Sequence, residues 1–238
     1  MTGTLLNVVT VLIGASIGVL LGSRFPERVR QTVMAALGIM VLVVGVSMAI
    51  TGNALIVLFS LLIGGIVGEL MDVDGKLNAL GKWLEAKFSR GEEAGNFTKG
   101  FVTASLVFCV GPMTILGSIQ DGLIGDNRLL AIKSLLDMFA GLAFASTLGI
   151  GVAFAAVTVL LVQGGIALLA MLVGSSLGVI TRETPWIVQM TATGGAVVIG
   201  ISLLLLDLKK IRVANFTPAI LIAPLIQVAL ELFKIQLP

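Results

Sequence analysis

Histidine and tyrosine are absent from this chain of 238 residues, and there is one cysteine, Cys109. A lone cysteine forms no intrachain disulfide, and without histidine no His–Cys metal site, haem site or Ser-His-Asp triad can be built. No catalytic residue, resident cofactor or metal site is expected. Charge is scarce too, at 12% of residues against 57% hydrophobic, with a mean hydropathy of +1.11. A soluble domain of this length cannot hide so much apolar surface in one core, and there is no basic face for nucleic acid. There is also no P-loop and no dinucleotide-binding glycine fingerprint, so neither an ATP-driven pump acting alone nor an enzyme is expected. Asp72-Val73-Asp74-Gly75 opens like a calcium loop but lacks the later ligands.

What remains is a set of apolar runs about 20 residues long, the length of a membrane-spanning helix, without the alternation of barrel strands. The spacing predicts an all-α membrane protein, one polytopic domain over residues 1–238. Spans are expected near Gly3 to Gly22, Thr32 to Thr51, Asn53 to Met71, Phe101 to Leu123, Leu129 to Gly151, Val152 to Ile180, Ile187 to Leu206 and Phe216 to Phe233. The first begins directly after Met-Thr-Gly with no basic leader, which reads as an uncleaved span. The fourth is interrupted by Val110-Gly111-Pro112-Met113, where proline removes a backbone donor. It is expected to break or to turn back, giving about eight transmembrane helices, or seven if this segment is re-entrant.

Between the third and fourth runs, Leu77, Leu80, Leu84 and Phe88 recur at helical spacing beside Trp83, with Lys76, Lys82, Lys87 and Arg90 on other faces. This predicts an amphipathic cytoplasmic surface helix over about 73–90, the alternative being a solvated linker. With the N-terminus outside, an eight-span reading puts Arg24, Arg28, Arg30, Lys76, Lys82, Lys87, Arg90, Lys99, Lys209, Lys210 and Arg212 in the cytoplasm. Arg128, Arg182 and Lys234 then stay outside. A re-entrant fourth segment gives an equal bias, so charge orients the first half of the chain and leaves the second open.

Ordered similarities run between the two ends of the chain. Leu12-Ile13-Gly14-Ala15-Ser16-Ile17-Gly18 matches Leu172-Val173-Gly174-Ser175-Ser176-Leu177-Gly178, and Val43-Val44-Gly45-Val46-Ser47 matches Val198-Ile199-Gly200-Ile201-Ser202. Asn53 with Glu69 matches Asn215 with Glu231. Repeat units over about 3–71 and 163–233 are therefore expected, and with eight spans they are inverted, as in many transporters. The fold expected is an inverted-repeat, transporter-like bundle with one broken helix.

Ionisable groups inside spans cost roughly 2.5 to 3.5 kcal/mol each on insertion scales, so each needs a reason. Lys133 and Asp137 stand four apart and can pair, unless Lys133 snorkels outwards. Near the break, Thr114, Ser118, Gln120 and Asp121 offer oxygen ligands beside freed backbone groups; an ordinary proline kink is the alternative. Asn7, Gln163, Thr191, Thr193 and Asn215 complete the candidate binding residues, the last three next to helix-loosening Gly or Pro. Glu69 and Glu231 lie near span ends and are read as interfacial. The glycine stripe Gly14, Gly18, Gly22, with the pairs Gly64/Gly68 and Gly174/Gly178, suits close helix packing or a homodimer face.

Gly3-Thr4-Leu5-Leu6-Asn7, Val110-Gly111-Pro112-Met113, Gly117-Ser118-Ile119-Gln120-Asp121-Gly122, Lys133-Ser134-Leu135-Leu136-Asp137, Gln163-Gly164 and Asn215-Phe216-Thr217-Pro218-Ala219 together resemble the YqgA/YdfK-like family, bacterial inner-membrane proteins of unknown function. The resemblance covers essentially the whole chain. It implies a multi-pass protein of the bacterial inner membrane with a transport role, and it supplies no substrate and no set of functional residues. Where that family has a Glu-x-Thr-Ala pattern, this chain has Gln189-Met190-Thr191-Ala192, which removes any charge-dependent role there. The function expected is secondary transport or facilitated passage of a small solute or inorganic ion across the lipid bilayer. An ion channel and a non-transporting scaffold are the alternatives.

Overall fold

The computed structural model describes residues 1–22, 26–88, 94–173, 181 and 183–235. They form helices α1 (Thr2–Gly22), α2 (Glu27–Ala49), α3 (Ala54–Met71), α4 (Val73–Phe88), α5 (Ala94–Cys109), α6 (Pro112–Leu123), α7 (Arg128–Leu148), α8 (Gly151–Val173), α9 (Pro185–Leu205) and α10 (Thr217–Leu232). A short 3-10 turn, Val213–Phe216, leads into α10. No strand occurs among the described residues. Seven helices are long and apolar enough to cross a membrane, and the bent pair α5–α6 makes an eighth if its two halves count as one span.

Local chemistry marks the helix ends. Asn53 caps α3 by accepting from the Leu55 and Ile56 N–H groups, two donors that a helix start leaves unsatisfied. Asp72 closes the same helix in the left-handed region, and Gly149 adopts φ +77° in the tight turn between α7 and α8. Prolines open α9 and α10, where the missing N–H costs nothing.

The helices gather into two compact units. The first contains α1, α5, α6, α7, α8, the start of α2 and most of α4. The buried stripe of α1 is Gly3, Thr4, Asn7, Val11, Gly14, Ala15, Gly18 and Gly22, nearly all small or polar, while Leu5, Leu6, Val9, Leu12, Ile13, Ile17 and Leu20 are exposed. That is the reverse of a soluble helix, and it suits a helix whose outer face meets lipid. The stripe lies on α7. A Cβ at Gly14, Gly18 or Gly22 would collide with the backbone carbonyls of Met138, Leu142 and Ser146 respectively. Both numbers rise together, so α1 and α7 run parallel.

The bent pair α5–α6 runs along α8. Gly100 packs on Leu148 and Val152, the Phe97 carbonyl faces Gly151, Ser105 bonds Thr158 at 2.9 Å, and Gly122 packs on the Ala167 carbonyl. The pair thus follows α8 from its start towards its end. It finishes at the start of α1, where the Asp121 carboxylate accepts from the Gly3 N–H at 3.1 Å. It therefore traverses this unit from one end to the other, as a broken span does, and does not turn back. The two halves meet at 62°. Proline explains the break: Pro112 has no N–H for the Phe108 carbonyl four residues earlier. The Thr114 hydroxyl donates to that carbonyl instead, at 2.9 Å.

The second unit holds α2 from Gly38 onwards, α3, α9, α10 and the first turn of α4. Here the pairs are antiparallel. Gly38 packs on Leu206, Gly45 on Ile199 and Gly195 on Ala49; Gly64 meets Ala219 and Gly68 meets Asn215. The Ser202 hydroxyl donates to the Gly38 carbonyl at 2.7 Å. Helix α4 covers all but the last two residues of the predicted amphipathic helix, those two lying outside the described residues. Its Leu80, Trp83 and Phe88 are exposed, Lys87 sits 5.2 Å above the Trp83 ring, and Gly81 packs on Thr98 and Phe101 of α5. Arg24, Arg90, Arg182 and the Gly174/Gly178 pair, with it most of the second copy of the first repeat match, also lie outside the described residues.

Candidate functional site: a buried polar cluster

Asn7 is one of the few polar side chains on the buried stripe of α1, and it is 0% exposed. Its Nδ2 donates to Asp137 Oδ2 at 2.9 Å. The same carboxylate oxygen takes the Lys133 ammonium, one turn earlier on α7. Lys133 is 5% exposed, so its charge is directed at Asp137 and does not snorkel outwards. The pairing follows from helical geometry, since residues four apart share a face. One residue away, the Ser134 hydroxyl returns to the Leu130 carbonyl at 2.7 Å and so is spent on its own helix.

Towards the start of α1 lies Asp121, held by the Gly3 N–H and facing the Met1 amine at 3.1 Å. Ser118 precedes Asp121 by three residues on the same side of α6. In α8, Gln163 is 0% exposed beside Gly164, whose α-carbon faces Met1 and Thr4. Counting side chains alone, the cluster carries one cation, Lys133, against two carboxylates, Asp121 and Asp137. The Met1 amine adds a second positive charge.

Satisfaction of these groups is incomplete. No protein hydrogen bond reaches Thr4 Oγ1, Asn7 Oδ1, Ser118 Oγ or either amide atom of Gln163, all fully buried, whereas Asp121 Oδ1 has the Met1 amine beside it. An unpartnered buried polar group costs about 1 to 3 kcal/mol, and native structures leave few. Five such atoms on four residues of one unit leave a buried polar demand that the protein's own groups do not meet. Thr193, in α9 of the other unit, has a buried hydroxyl in the same condition.

The remaining sequence-selected residues fall elsewhere. Thr114 serves the helix break, and Gln120 is half-buried at the far end of α6. Thr191 and Asn215 belong with Thr193 to the second unit, where Asn215 bonds Glu69 and the Asp74 N–H. Sequence reasoning passed over Thr4, although its place beside Gly3 in the stripe Gly3, Asn7, Val11, Gly14 put it on the buried face. Among the described residues no group of three or more His, Cys, Asp or Glu side chains could hold a metal ion.

An outward apolar surface, small-residue helix seams and a polar interior with a broken span define a polytopic α-helical membrane protein. The chain belongs to the DUF554 family of proteins of unknown function, which it matches over residues 2–228. It is 30% identical to the uncharacterized membrane protein YdfK of Bacillus subtilis (strain 168), across 99% of this chain and 100% of that one. It is 29% identical to the uncharacterized protein YqgA of Escherichia coli (strain K12), across 93% and 94%. No solved structure matches it.

Proposed function

We propose that this protein is a secondary transporter or facilitator of a small solute in the bacterial inner membrane, coupled to an ion or proton through the polar cluster of α1, α6, α7 and α8. The observation that carries this reading is the set of unsatisfied buried atoms around Gln163, Ser118, Thr4 and Asn7 beside the Asp121 and Asp137 carboxylates. Groups held out of water beside an interrupted helix are the usual means by which membrane carriers bind polar cargo near the bilayer midplane. The Asp121 and Asp137 carboxylates offer the oxygen ligands that a cation or proton needs as coupling ion.

The repeat belongs to the same proposal. Segments 3–71 and 163–233 are units of opposite orientation, supported by the antiparallel packing of α2 on α9 and α3 on α10 and by the Glu69–Asn215 bond, which joins one residue of each matched pair. Cytoplasmic placement of α4 accords with its lysines and with its exposed Leu80, Trp83 and Phe88.

Counterflow in proteoliposomes tests the function. Vesicles loaded with one unlabelled solute at a time, from amino acids, small carboxylates and amines, are diluted into its labelled form. A carrier accumulates label transiently for at least one solute, and Asp121→Asn or Asp137→Asn abolishes the coupled uptake while the protein stays monodisperse. Downhill leak without exchange favours a channel. Vesicles indistinguishable from protein-free ones for every solute leave a scaffold.

A further inference from the structure

Helices α3 and α10 lie antiparallel in the second unit, so each end of the pair brings together the start of one helix and the finish of the other. Asn215 stands just before α10 and Glu69 in the last turn of α3; at the opposite end, Asn53 stands just before α3 and Glu231 in the last turn of α10. The two ends are built from like residues but are not alike. At the first, everything is closed: Asn215 donates to Glu69, accepts the Asp74 N–H at 2.7 Å, and Arg212 completes the Glu69 carboxylate at 2.6 Å.

At the second end a recess of 680 Å³ opens, within the range of small-molecule sites, and Asn53, Gln189, Gln227, Glu231 and Lys234 line it over an apolar floor that includes Ile56. Gln227 donates to one Glu231 oxygen at 2.8 Å. Lys234 follows three residues later, at the turn that ends α10, with φ +55°. Although the two opposite charges share the recess, Glu231 and Lys234 do not pair, and among the described residues neither has an ion-pair partner. Gln189 is 8% exposed, and its Oε1 is fixed by accepting the Asn53 N–H at 2.9 Å. That bond assigns the amide orientation and turns Nε2, which has no partner among the described residues, to the recess.

The geometry points to a binding site for a small zwitterion, a solute of amino-acid to short-peptide size bearing an ammonium and a carboxylate. Glu231 receives the ammonium, Lys234 and Gln189 Nε2 receive the carboxylate, and Gln227 holds the Glu231 carboxylate in place. A solute of one charge would satisfy half of this set and leave the other half as it was. The site belongs to the second unit and is independent of the polar cluster that carries the transport proposal.

Binding to the full chain in detergent, with no gradient, is the test. Glycine, L-alanine, L-glutamine and glycylglycine are titrated by calorimetry or saturation-transfer NMR against methylammonium and acetate. At least one zwitterion should bind, with both single-charge probes weaker by about tenfold or more, the weight of one charge-assisted hydrogen bond. Glu231→Gln and Lys234→Met should each weaken the zwitterion by about that factor without changing the melting temperature of the unliganded protein, and Glu69→Gln at the closed end should not. Equal binding of methylammonium, equal loss in Glu69→Gln, or no binding by any probe at millimolar concentration would overturn the proposal.

Discussion

Asn7 Nδ2 meets Asp137 Oδ2 at 2.9 Å across 130 residues of sequence, and Lys133 meets the same oxygen from its own helix. One carboxylate thereby ties α1 to α7 and neutralises the lysine. The geometry explains why a lysine can persist in an apolar span: its charge never faces lipid.

A double-mutant cycle follows from that arrangement. Lys133→Ala strands Asp137 with only an amide donor, and removing one member of a buried pair costs about 3 to 5 kcal/mol. Lys133→Ala/Asp137→Ala removes both charges and should melt closer to wild type than either single variant, as read by thermal unfolding in detergent. Additive losses would mean that the two charges are not coupled.

The seam between α1 and α7 gives a second expectation. Alanine at Gly14 must push the helices apart, because its Cβ would occupy the position of the Met138 carbonyl, backbone that cannot swing away. Overpacking of this kind costs about 1 to 3 kcal/mol, and here the main-chain clash places it at the upper end. Gly165→Ala, in α8, has nothing within 4 Å of the new methyl and improves helix propensity. Gly14→Ala should lower the melting temperature by several degrees and Gly165→Ala should hold or raise it. The reverse order would remove close backbone approach as the reason for the glycine stripe.

Much of the fold was legible because lipid imposes a coarse rule: apolar runs of fixed length must be helices. Gly111-Pro112 announced the break for an equally local reason, the absent N–H of proline. Legibility ended where partners come from distant helices. Nothing in the spacing of Asn7 says that it will find Asp137, and Thr114, read as a ligand, instead repairs the carbonyl that Pro112 leaves open. Asn215, Thr191 and Thr193 resembled members of one site with Asp121 because all are polar groups in apolar sequence. Chain position alone could not assign them to a different set of helices. Whether residues 101–123 crossed or returned was likewise undecidable from charge, and only the meeting of Asp121 with Gly3 at the start of α1 resolves it.

Ahead of α7, Asp126 offers a pH-dependent readout outside the spans. The Arg128 side chain, then its backbone N–H, hold the Asp126 carboxyl below the usual 3.8, at about 2. A depressed folded value means that the contact contributes above pH 3.8 and is lost as pH falls through about 2. Carbon-13 titration of this carboxyl should show the low midpoint, and Arg128→Gln should return it only part of the way, because the backbone donor at 3.1 Å remains. An unchanged midpoint in Arg128→Gln would mean that the guanidinium is not the cause.

Asn215 and Arg212 both contact Glu69, yet they should differ sharply when removed. Arg212 is an exposed partner, its side chain 64% accessible and that of Glu69 56%, and pairs of this kind are worth about 0 to 1 kcal/mol. Asn215 is 2% exposed and occupies both faces of its amide, donating to Glu69 and accepting from the Asp74 N–H where α4 begins. Asn215→Ala leaves that N–H and one Glu69 oxygen to find other partners, a loss of about 1 to 3 kcal/mol for a buried unmet group. It should therefore lower the melting temperature clearly where Arg212→Ala barely moves it, and hydrogen exchange should accelerate in the first turn of α4. Asn215→Asp is the sharper probe. It keeps the acceptor for Asp74 but sets a carboxylate against Glu69, so its melting temperature should fall and should be partly restored by adding Glu69→Gln. No relief of Asn215→Asp by Glu69→Gln would show that residues 69 and 215 do not touch.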